Sequence, residues 1–328
     1  MQWYKDDGNK VRCLLCTHHC SLHSGAVGIC GVNKNIGGKL ECLVYGHLAA
    51  LHIDPIEKKP LYHMLPGSKT FSLGTVGCNF RCPFCQNWQI SQTHDIDSKQ
   101  FASPKQIVES ACMQDCQSIS FTYNEPTIFY PYVKDIAVLA KKRGLKTVFV
   151  TNGCMSDAVV NDMKGVIDAF NIDIKSFDNH YYRSYLKGSL PQVLKNAQTL
   201  KENGHWVEIT TLIIPGHNDS NQSVKDIATF IAKNLGVQTP WHLSAFYPHY
   251  KELDTAITDL KQLEDAKKIA HDQGLKHVYI GNVGKKATTL CSSCGKKLIV
   301  RNGFEVEKTS LKGAQCKKCK TVLTGVFE

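Results

Sequence analysis

Short apolar runs alternate with amphipathic stretches along the middle of this chain. Seven runs have the length and bounding residues of strands; they are 70–76, 118–122, 147–151, 169–174, 206–214, 241–246 and 277–280. Helical periodicity covers 136–143, 226–235 and 260–272, and Gly144 and Gly274 follow two of these segments as stop signals. This strand–helix alternation predicts an α/β fold with a parallel sheet, as a partial (β/α)6 barrel or, as the alternative, a doubly wound open sheet.

Cysteine spacing divides the 328 residues into three predicted units. They are an N-terminal cysteine-rich metal-binding module (1–66), the barrel (67–284) and a lysine-rich C-terminal unit (285–328). Most of the 15 cysteines fall into closely spaced groups, and the polar N-terminus does not resemble a signal peptide. We therefore expect metal ligation in a reducing cytoplasm. No apolar stretch is long enough to predict a membrane span.

The most informative motif is Cys78-x3-Cys82-x2-Cys85, directly after the first barrel strand. A [4Fe–4S] cluster is held by cysteine thiolates and needs four to saturate it, so three thiolates leave one iron open. The position suits an active site, because barrels carry their chemistry at the carboxyl ends of strands. The alternative is a zinc knuckle made by Cys82 and Cys85, with Cys78 as a third ligand.

This motif, with Phe84 before the third cysteine, resembles the signature of radical S-adenosylmethionine (SAM) enzymes. The resemblance implies that Cys78, Cys82 and Cys85 bind a [4Fe–4S] cluster whose open iron is chelated by SAM, with Phe84 near the adenine. In that family, one electron from the cluster cleaves SAM to methionine and a 5′-deoxyadenosyl radical, which abstracts a hydrogen atom from the substrate. An oxygen-sensitive cluster implies an anaerobic or low-oxygen setting.

Later strand ends match the same family. The segment Tyr123-Asn124-Glu125-Pro126 occupies the place of a Gly-Gly-Glu-Pro that binds the SAM amino group, although its glycines are absent here. Asn152 follows the next strand, and Asp173-x-Lys175 resembles the pair that contacts the SAM ribose and carboxylate. The resemblance therefore implies that these residues, from Tyr123 to Lys175, bind the cofactor. No residue is assigned a catalytic role in hydrogen transfer, and the rim histidines His217 and His242 receive no role.

The segments 54–61, 82–91 and 123–129 narrow the resemblance to the AmmeMemoRadiSam type, related to pyruvate formate-lyase activating enzymes. That relationship implies a protein partner or protein substrate, activation of a glycyl radical protein, and an electron donor such as flavodoxin or ferredoxin. The ferredoxin-like insert of many activating enzymes is absent after Cys85. Radical modification of a small molecule or of a partner's side chain therefore stays open.

The outer cysteines predict two further metal sites. Cys291, Cys294, Cys316 and Cys319 form two Cys-x2-Cys pairs, the pattern of a zinc ribbon, with a single iron as the alternative. Cys13, Cys16, Cys20 and Cys30 predict zinc, with a second iron–sulfur cluster as the alternative.

The C-terminal region also has a feature of a different class of function. Residues 285–328 contain ten lysines and arginines against three acids, within a chain of net charge +10. A zinc protein that binds nucleic acid would use such a surface. That function leaves the Asp173-x-Lys175 and Asn124-Glu125-Pro126 segments without a purpose, so a nucleic-acid partner is not expected.

Overall fold

The computed structural model describes residues 2–97 and 101–328. A three-stranded antiparallel sheet and a two-stranded hairpin come first along the chain. These strands are β1 (Tyr4–Asp6), β2 (Lys10–Cys13), β3 (Ser21–His23), β4 (Asn33–Ile36) and β5 (Lys39–Cys42). Leu15, Val32 and Val44 from this region are buried in the same hydrophobic cluster as the central sheet. The N-terminal region therefore packs directly on that sheet.

Eight strands form the central sheet, and neighbours in the sheet are also neighbours in sequence. They are β6 (Ala50–Pro55), β7 (Lys69–Gly74), β8 (Ser118–Phe121), β9 (Lys146–Thr151), β10 (Ala169–Asp173), β11 (Trp206–Ile213), β12 (Trp241–Ala245) and β13 (Val278–Gly281). Strands β7 to β13 are parallel, and β6 pairs antiparallel with β7.

The strand order confirms the predicted α/β fold with its parallel sheet. Six parallel strands, β7 to β12, are each followed by a helical segment, and β13 is the seventh parallel strand, which is compatible with the predicted partial (β/α)6 barrel and its seven predicted strands. The sequential order also excludes the doubly wound alternative, in which strand order reverses at a switch point.

Helices connect the parallel strands. They are α1 (Trp88–Ser91), α2 (Pro104–Met113), α3 (Tyr130–Lys142), α4 (Asp157–Asp162), α5 (Asn179–Tyr181), α6 (Leu190–Glu202), α7 (Asn221–Phe230) and α8 (Leu260–Asp272). The predicted helix over 260–272 coincides with α8, and the prediction over 226–235 continues past α7 into a π-helical turn (Ile231–Leu235). Within the described ranges, no helix is long and apolar enough to cross a membrane.

The strands present apolar side chains to the helices and polar ones to the inside of the sheet. On β10, Phe170 and Ile172 belong to the main hydrophobic cluster, whereas Asn171 and Asp173 line an internal cavity. Side chains on a strand alternate between its two faces, so one face can be polar while the other forms the core. Thr210 on β11 lines the same cavity. The concave face is therefore built to contact something polar.

The segment after β6 bridges the two edges of the sheet. Tyr62 and His63 donate backbone hydrogen bonds of 3.0 and 2.7 Å to the carboxylate of Glu208 on β11. The His63 ring contacts the Tyr279 hydroxyl on β13 at 2.7 Å. Because β6 and β13 lie at opposite edges, these contacts show that the sheet curves into a partial barrel.

A C-terminal sheet covers the same gap. Its strands are β14 (Ala287–Leu290), β15 (Lys297–Asn302) and β16 (Glu305–Lys308), followed by the hairpin β17 (Leu311–Lys312) and β18 (Gln315–Cys316). Arg301 on β15 is fully buried and donates to the Tyr62 carbonyl at 2.5 Å and to the Thr289 hydroxyl at 3.0 Å. The predicted division of the chain after residues 66 and 284 stays a prediction, although the central sheet itself begins at Ala50.

The buried His63 predicts a loss of stability in acid. Burial lowers the pKa of His63 from 6.5 to about 4. Between these pH values the unfolded chain binds the proton and the folded chain does not, so stability falls as pH decreases from 6.5 to 4. We expect His63→Gln to remove up to about 3 kcal/mol of this pH dependence. Urea unfolding measured from pH 7 to pH 4 checks it.

The exposed His180 supplies the control, because His180→Gln changes a ring that lies outside the core. Its stability curve should run parallel to that of the wild type. If the His63→Gln curve also ran parallel to the wild-type curve, His63 would not be the group that is held neutral.

Candidate active site

The cysteine loop leaves the carboxyl end of β7 in a conformation that depends on Gly77. Gly77 has φ +85°, and a Cβ on it would lie 2.5 Å from the carbonyl oxygen of Cys30. Only glycine fits both restrictions. Arg81 then donates to the Cys78 carbonyl at 2.7 Å and to the Phe80 carbonyl at 3.0 Å, which closes the loop on itself.

Cys78, Cys82 and Cys85 all line one cavity of about 610 Å³ on the inside of the barrel. The three thiols are not gathered around one point: within residues 2–97 and 101–328, they are not part of any group whose ligand atoms all lie within 4.8 Å. Each cysteine of an iron–sulfur cluster binds a different iron, so spread thiols fit a cluster better than one zinc ion. Their number, spacing and access to the cavity fit a [4Fe–4S] cluster with one open iron.

Asn124 and Asn152 brace this loop. The Asn124 side chain donates to the Gly77 carbonyl at 2.9 Å and accepts from the Thr75 amide at 3.1 Å. Asn152 donates to the side chain of Asn79, inside the cysteine loop, at 2.8 Å. Both residues were predicted to contact SAM, and both line the cavity with their amides already engaged. Their position therefore supports a role in holding the loop.

Glu125 joins two neighbouring strand ends. It is buried and accepts hydrogen bonds from the Thr151 hydroxyl and the Asn152 amide, both at 2.8 Å, and from the Thr127 amide at 3.1 Å. Burial raises the pKa of Glu125, although these donors act in the opposite direction. Glu125 therefore lines the cavity while its carboxylate is held by several hydrogen bonds.

Tyr123 contacts Asp54 and Lys59, two residues of the motif at 54–61. Its backbone has φ +72°, the left-handed region that the family's glycine would occupy without strain. Its hydroxyl donates to Asp54 at 2.6 Å, and Lys59 contacts the same carboxylate at 2.6 Å. The Lys59 ammonium lies 4.7 Å from the centre of the Tyr123 ring. Burial lowers the pKa of Lys59 to about 8, with Asp54 opposing the shift.

Asp173 and Lys175 form an ion pair on the cavity wall, with 3.1 Å between Oδ2 and Nζ. Burial works against the Lys175 ammonium, but the neighbouring negative groups, Asp173 foremost, together outweigh it, and the pKa of Lys175 is raised. The turn at 214–219 supports this pair, because Asn218 donates to the Lys175 carbonyl at 2.7 Å. Phe84 is buried beside them and stacks on Tyr185 with ring centres 6.5 Å apart.

The inner wall of the cavity contains polar groups that sequence reasoning missed. His242 lines the cavity, and its Nε2 lies 2.7 Å from Glu208. Burial raises the pKa of Glu208, but the hydrogen bonds from His242 and the Tyr62 amide and the nearby histidine charges together outweigh it, so the pKa falls to about 2. The buried Thr210 hydroxyl has no hydrogen-bond partner among the described residues. The sequence contained one signal for this polar wall, which is the charged residue Glu208 within the apolar run 206–214.

The four C-terminal cysteines form a compact metal site. Their sulfur atoms all lie within 4.8 Å of one another, with Sγ–Sγ distances of 3.5 Å for Cys291 and Cys319 and 3.8 Å for Cys294 and Cys316. Four thiolates at these distances match tetrahedral ligation of a single ion. The predicted grouping is therefore present, and zinc and iron are both compatible with it.

The four N-terminal cysteines differ from that arrangement. Cys13, Cys16 and Cys30 are buried and Cys20 is half-buried. Within the described chain, these sulfurs belong to no group of three or more ligand atoms that lie within 4.8 Å of one another. Ligands of a single ion lie closer together than this, so the choice between zinc and an iron–sulfur cluster at these cysteines stays a prediction.

Comparisons with known proteins agree with this geometry. The family model described as "Radical SAM superfamily" matches residues 72–231. An uncharacterized protein of Methanocaldococcus jannaschii is 41% identical over 324 residues, covering 98% of this chain and 96% of that protein. The 4-hydroxyphenylacetate decarboxylase activating enzyme of Clostridioides difficile is 25% identical over 177 residues, covering 50% of this chain and 55% of the enzyme.

Among solved structures, Streptococcus suis SuiB bound to precursor peptide SuiA is similar with a TM-score of 0.53 and 15% identity. The match covers 69% of this chain and 51% of SuiB. At this identity the likeness shows a shared fold.

The C-terminal cysteine site predicts a structural metal. We expect one metal ion per chain beyond any iron that is matched by acid-labile sulfide, and we expect Cys294→Ala to lose it. Without the ion, the small core of this region should open locally, raising amide hydrogen exchange in residues 287–323 about tenfold or more. Metal analysis and hydrogen-exchange mass spectrometry measure both effects.

Cys112→Ala is the matched control, because Cys112 lies on α2 and outside all three cysteine groups. Full retention of the ion by Cys294→Ala would contradict the assignment.

Proposed function

Since this chain belongs to the radical SAM superfamily, we propose that its barrel cavity binds a [4Fe–4S] cluster on Cys78, Cys82 and Cys85, with SAM beside it. When bound, cluster and SAM supply a 5′-deoxyadenosyl radical that removes a hydrogen atom from the substrate. The observation that carries the proposal is the shared cavity, which is lined by the three thiols and by the Asp173–Lys175 pair.

The side chains around the cavity have complementary roles in this proposal. The Lys175 ammonium neutralises the SAM carboxylate, and Asp173 accepts hydrogen bonds from the ribose hydroxyls. Phe84 supplies an apolar surface for the adenine. Tyr123, Asn124, Glu125 and Asn152 hold the loop and the adjoining strand ends in place for the SAM amino group.

The outer regions support this central reaction. We assign the barrel to residues 67–284, the N-terminal cysteine module to 1–66 and a zinc ribbon to 285–328. Phe304, on the turn between β15 and β16, lines the cavity. The C-terminal region thus contributes to the substrate wall as well as closing the barrel.

For the substrate, we favour a protein segment that is activated as a glycyl radical. Support comes from the relatives, several of which are named activating enzymes. The chain spans about half of the length of the first of these. Reduced flavodoxin or ferredoxin is the class of electron donor that such a reaction uses.

A second candidate is a small molecule, or a partner's side chain, that carries a hydrogen-bonding group. The inner wall favours this candidate, because the Thr210 hydroxyl is buried without a partner and His242 lies on the same wall. Buried polar groups normally find partners, so a polar substrate would satisfy them.

The proposal predicts SAM cleavage that depends on the cysteine loop. Reconstituted anaerobically with iron and sulfide and reduced with dithionite, the wild type should produce 5′-deoxyadenosine, and Cys82→Ala should not. Lys175→Met should weaken SAM binding about 10- to 100-fold, because it removes a charged hydrogen bond from a desolvated site. Mass spectrometry and anaerobic equilibrium dialysis measure the two effects.

Lys251→Met is the matched control, since Lys251 is exposed beside Tyr250 and outside the cavity lining. It should bind SAM as the wild type does. A wild type that holds a reducible cluster yet neither binds nor cleaves SAM would contradict the proposed function.

Deuterium transfer distinguishes the two substrate classes. A candidate glycyl radical protein labelled with α-deuterated glycine should transfer deuterium into 5′-deoxyadenosine, and the unlabelled protein should show a glycyl doublet by electron paramagnetic resonance (EPR). If every candidate gives neither signal, and a deuterated small molecule transfers its label instead, the second candidate is supported.

A further inference from the structure

The chain contains three groups of cysteines, which differ in how closely their sulfur atoms lie together. The N-terminal group can be compared with the other two. The C-terminal group gathers four sulfurs within 4.8 Å, as a single ion requires. The Cys78 loop, which carries the radical SAM motif, leaves its sulfurs spread. The N-terminal group, Cys13, Cys16, Cys20 and Cys30, is also spread, so it follows the pattern of the cluster loop.

The setting of the N-terminal cysteines suits bound thiolates. Cys13 is 7% exposed, Cys16 6% and Cys30 6%, and none of them forms a disulfide. Asn33 donates a side-chain hydrogen bond to the Cys30 sulfur at 3.4 Å. Hydrogen bonds to sulfur and exclusion of solvent are the means by which proteins tune iron–sulfur clusters. Three buried cysteines and one half-buried cysteine that are close in sequence and free of disulfides suit a common ligand that spans them.

We propose that Cys13, Cys16, Cys20 and Cys30 bind a second iron–sulfur cluster, and not zinc. Four thiolates saturate a cluster, so this one has no open iron for SAM. Its chemistry is therefore limited to accepting and passing on single electrons.

Contacts between the two cysteine loops indicate where those electrons go. The Cys30 carbonyl packs on Gly77, immediately before Cys78. Arg81 bridges the loops by donating to the carbonyls of Ile29 and Cys78. His18 contacts the Asn79 carbonyl at 2.9 Å. The two loops are thus joined directly through protein atoms.

The role of the second cluster rests on the proposed function, and its presence is measured separately from that function. A low-potential one-electron donor of the flavodoxin or ferredoxin class reduces the N-terminal cluster by one electron. That electron then moves to the cluster on the Cys78 loop, and the N-terminal cluster returns to its oxidised state. No proton or other co-reactant is needed for this transfer.

The test uses the full-length chain, reconstituted anaerobically with iron and sulfide. Iron and acid-labile sulfide are quantified, and Mössbauer spectra identify the cluster type. A Cys78→Ala/Cys82→Ala/Cys85→Ala variant should keep one cluster, and Cys13→Ala/Cys20→Ala should also keep one, while the wild type holds two. With about four irons in each [4Fe–4S] cluster, each variant should lose about half of the wild-type sulfide. Sulfide is decisive because a single iron at the C-terminal site carries none.

A control variant, EPR and circular dichroism complete the test for two clusters. The adjacent thiol Cys42 donates to the Ile128 carbonyl, so Cys42→Ala is a control that should keep both clusters. After reduction, wild-type EPR signals should show coupling between two neighbouring spins, and neither multiple variant should. Circular dichroism verifies that the variants are folded.

Stoichiometric zinc at the N-terminal site, or a triple variant that binds no sulfide while folded, would overturn the proposal. In that case a wild type that still produced 5′-deoxyadenosine would leave the proposed function intact. Conversely, a sulfide-loaded triple variant together with an inactive wild type would retain the second cluster and reject the proposed function.

Discussion

The buried carboxylate of Glu208 is the contact on which the closed form of this barrel depends. It accepts hydrogen bonds from the Tyr62 and His63 amides and from the Trp206 indole, and it pairs with His242. An unpaired buried charge is very costly, so all of these donors are needed together. Their positions join the segment after β6 to the middle of the sheet. One carboxylate therefore defines both the closure of the barrel and its polar inner wall.

Closure in turn explains how distant parts of the chain share one cavity. The cysteine loop enters from the end of β7, and the Asp173–Lys175 pair comes from the end of β10. Phe304 reaches the same space from the C-terminal region, which Arg301 fastens to the bridging segment. The outer cysteine-rich regions are thus parts of the walls and supports of the site.

Local patterns made the seven parallel strands and the Cys78 loop predictable from sequence, because strand periodicity and ligand spacing are short-range. Strand β6 was missed because Leu51 and Ile53 lie exposed on an edge strand and do not form a buried run. The contact between His63 and Glu208 joins residues 145 positions apart, and no local signal marks it. The metal of the N-terminal cysteines stays a prediction, because sequence spacing counts ligands and does not give the distances between sulfurs.

The left-handed backbone of Tyr123 places conformational strain in this part of the site. A non-glycine residue in that region costs about 1–3 kcal/mol, and the bond to Asp54 and the contact with Lys59 hold it there. The same conformation directs the Tyr123 carbonyl to Asn87, just beyond the cysteine loop, at 2.8 Å. A change at Tyr123 that altered this turn would therefore also alter the support of the segment that follows the cysteine loop.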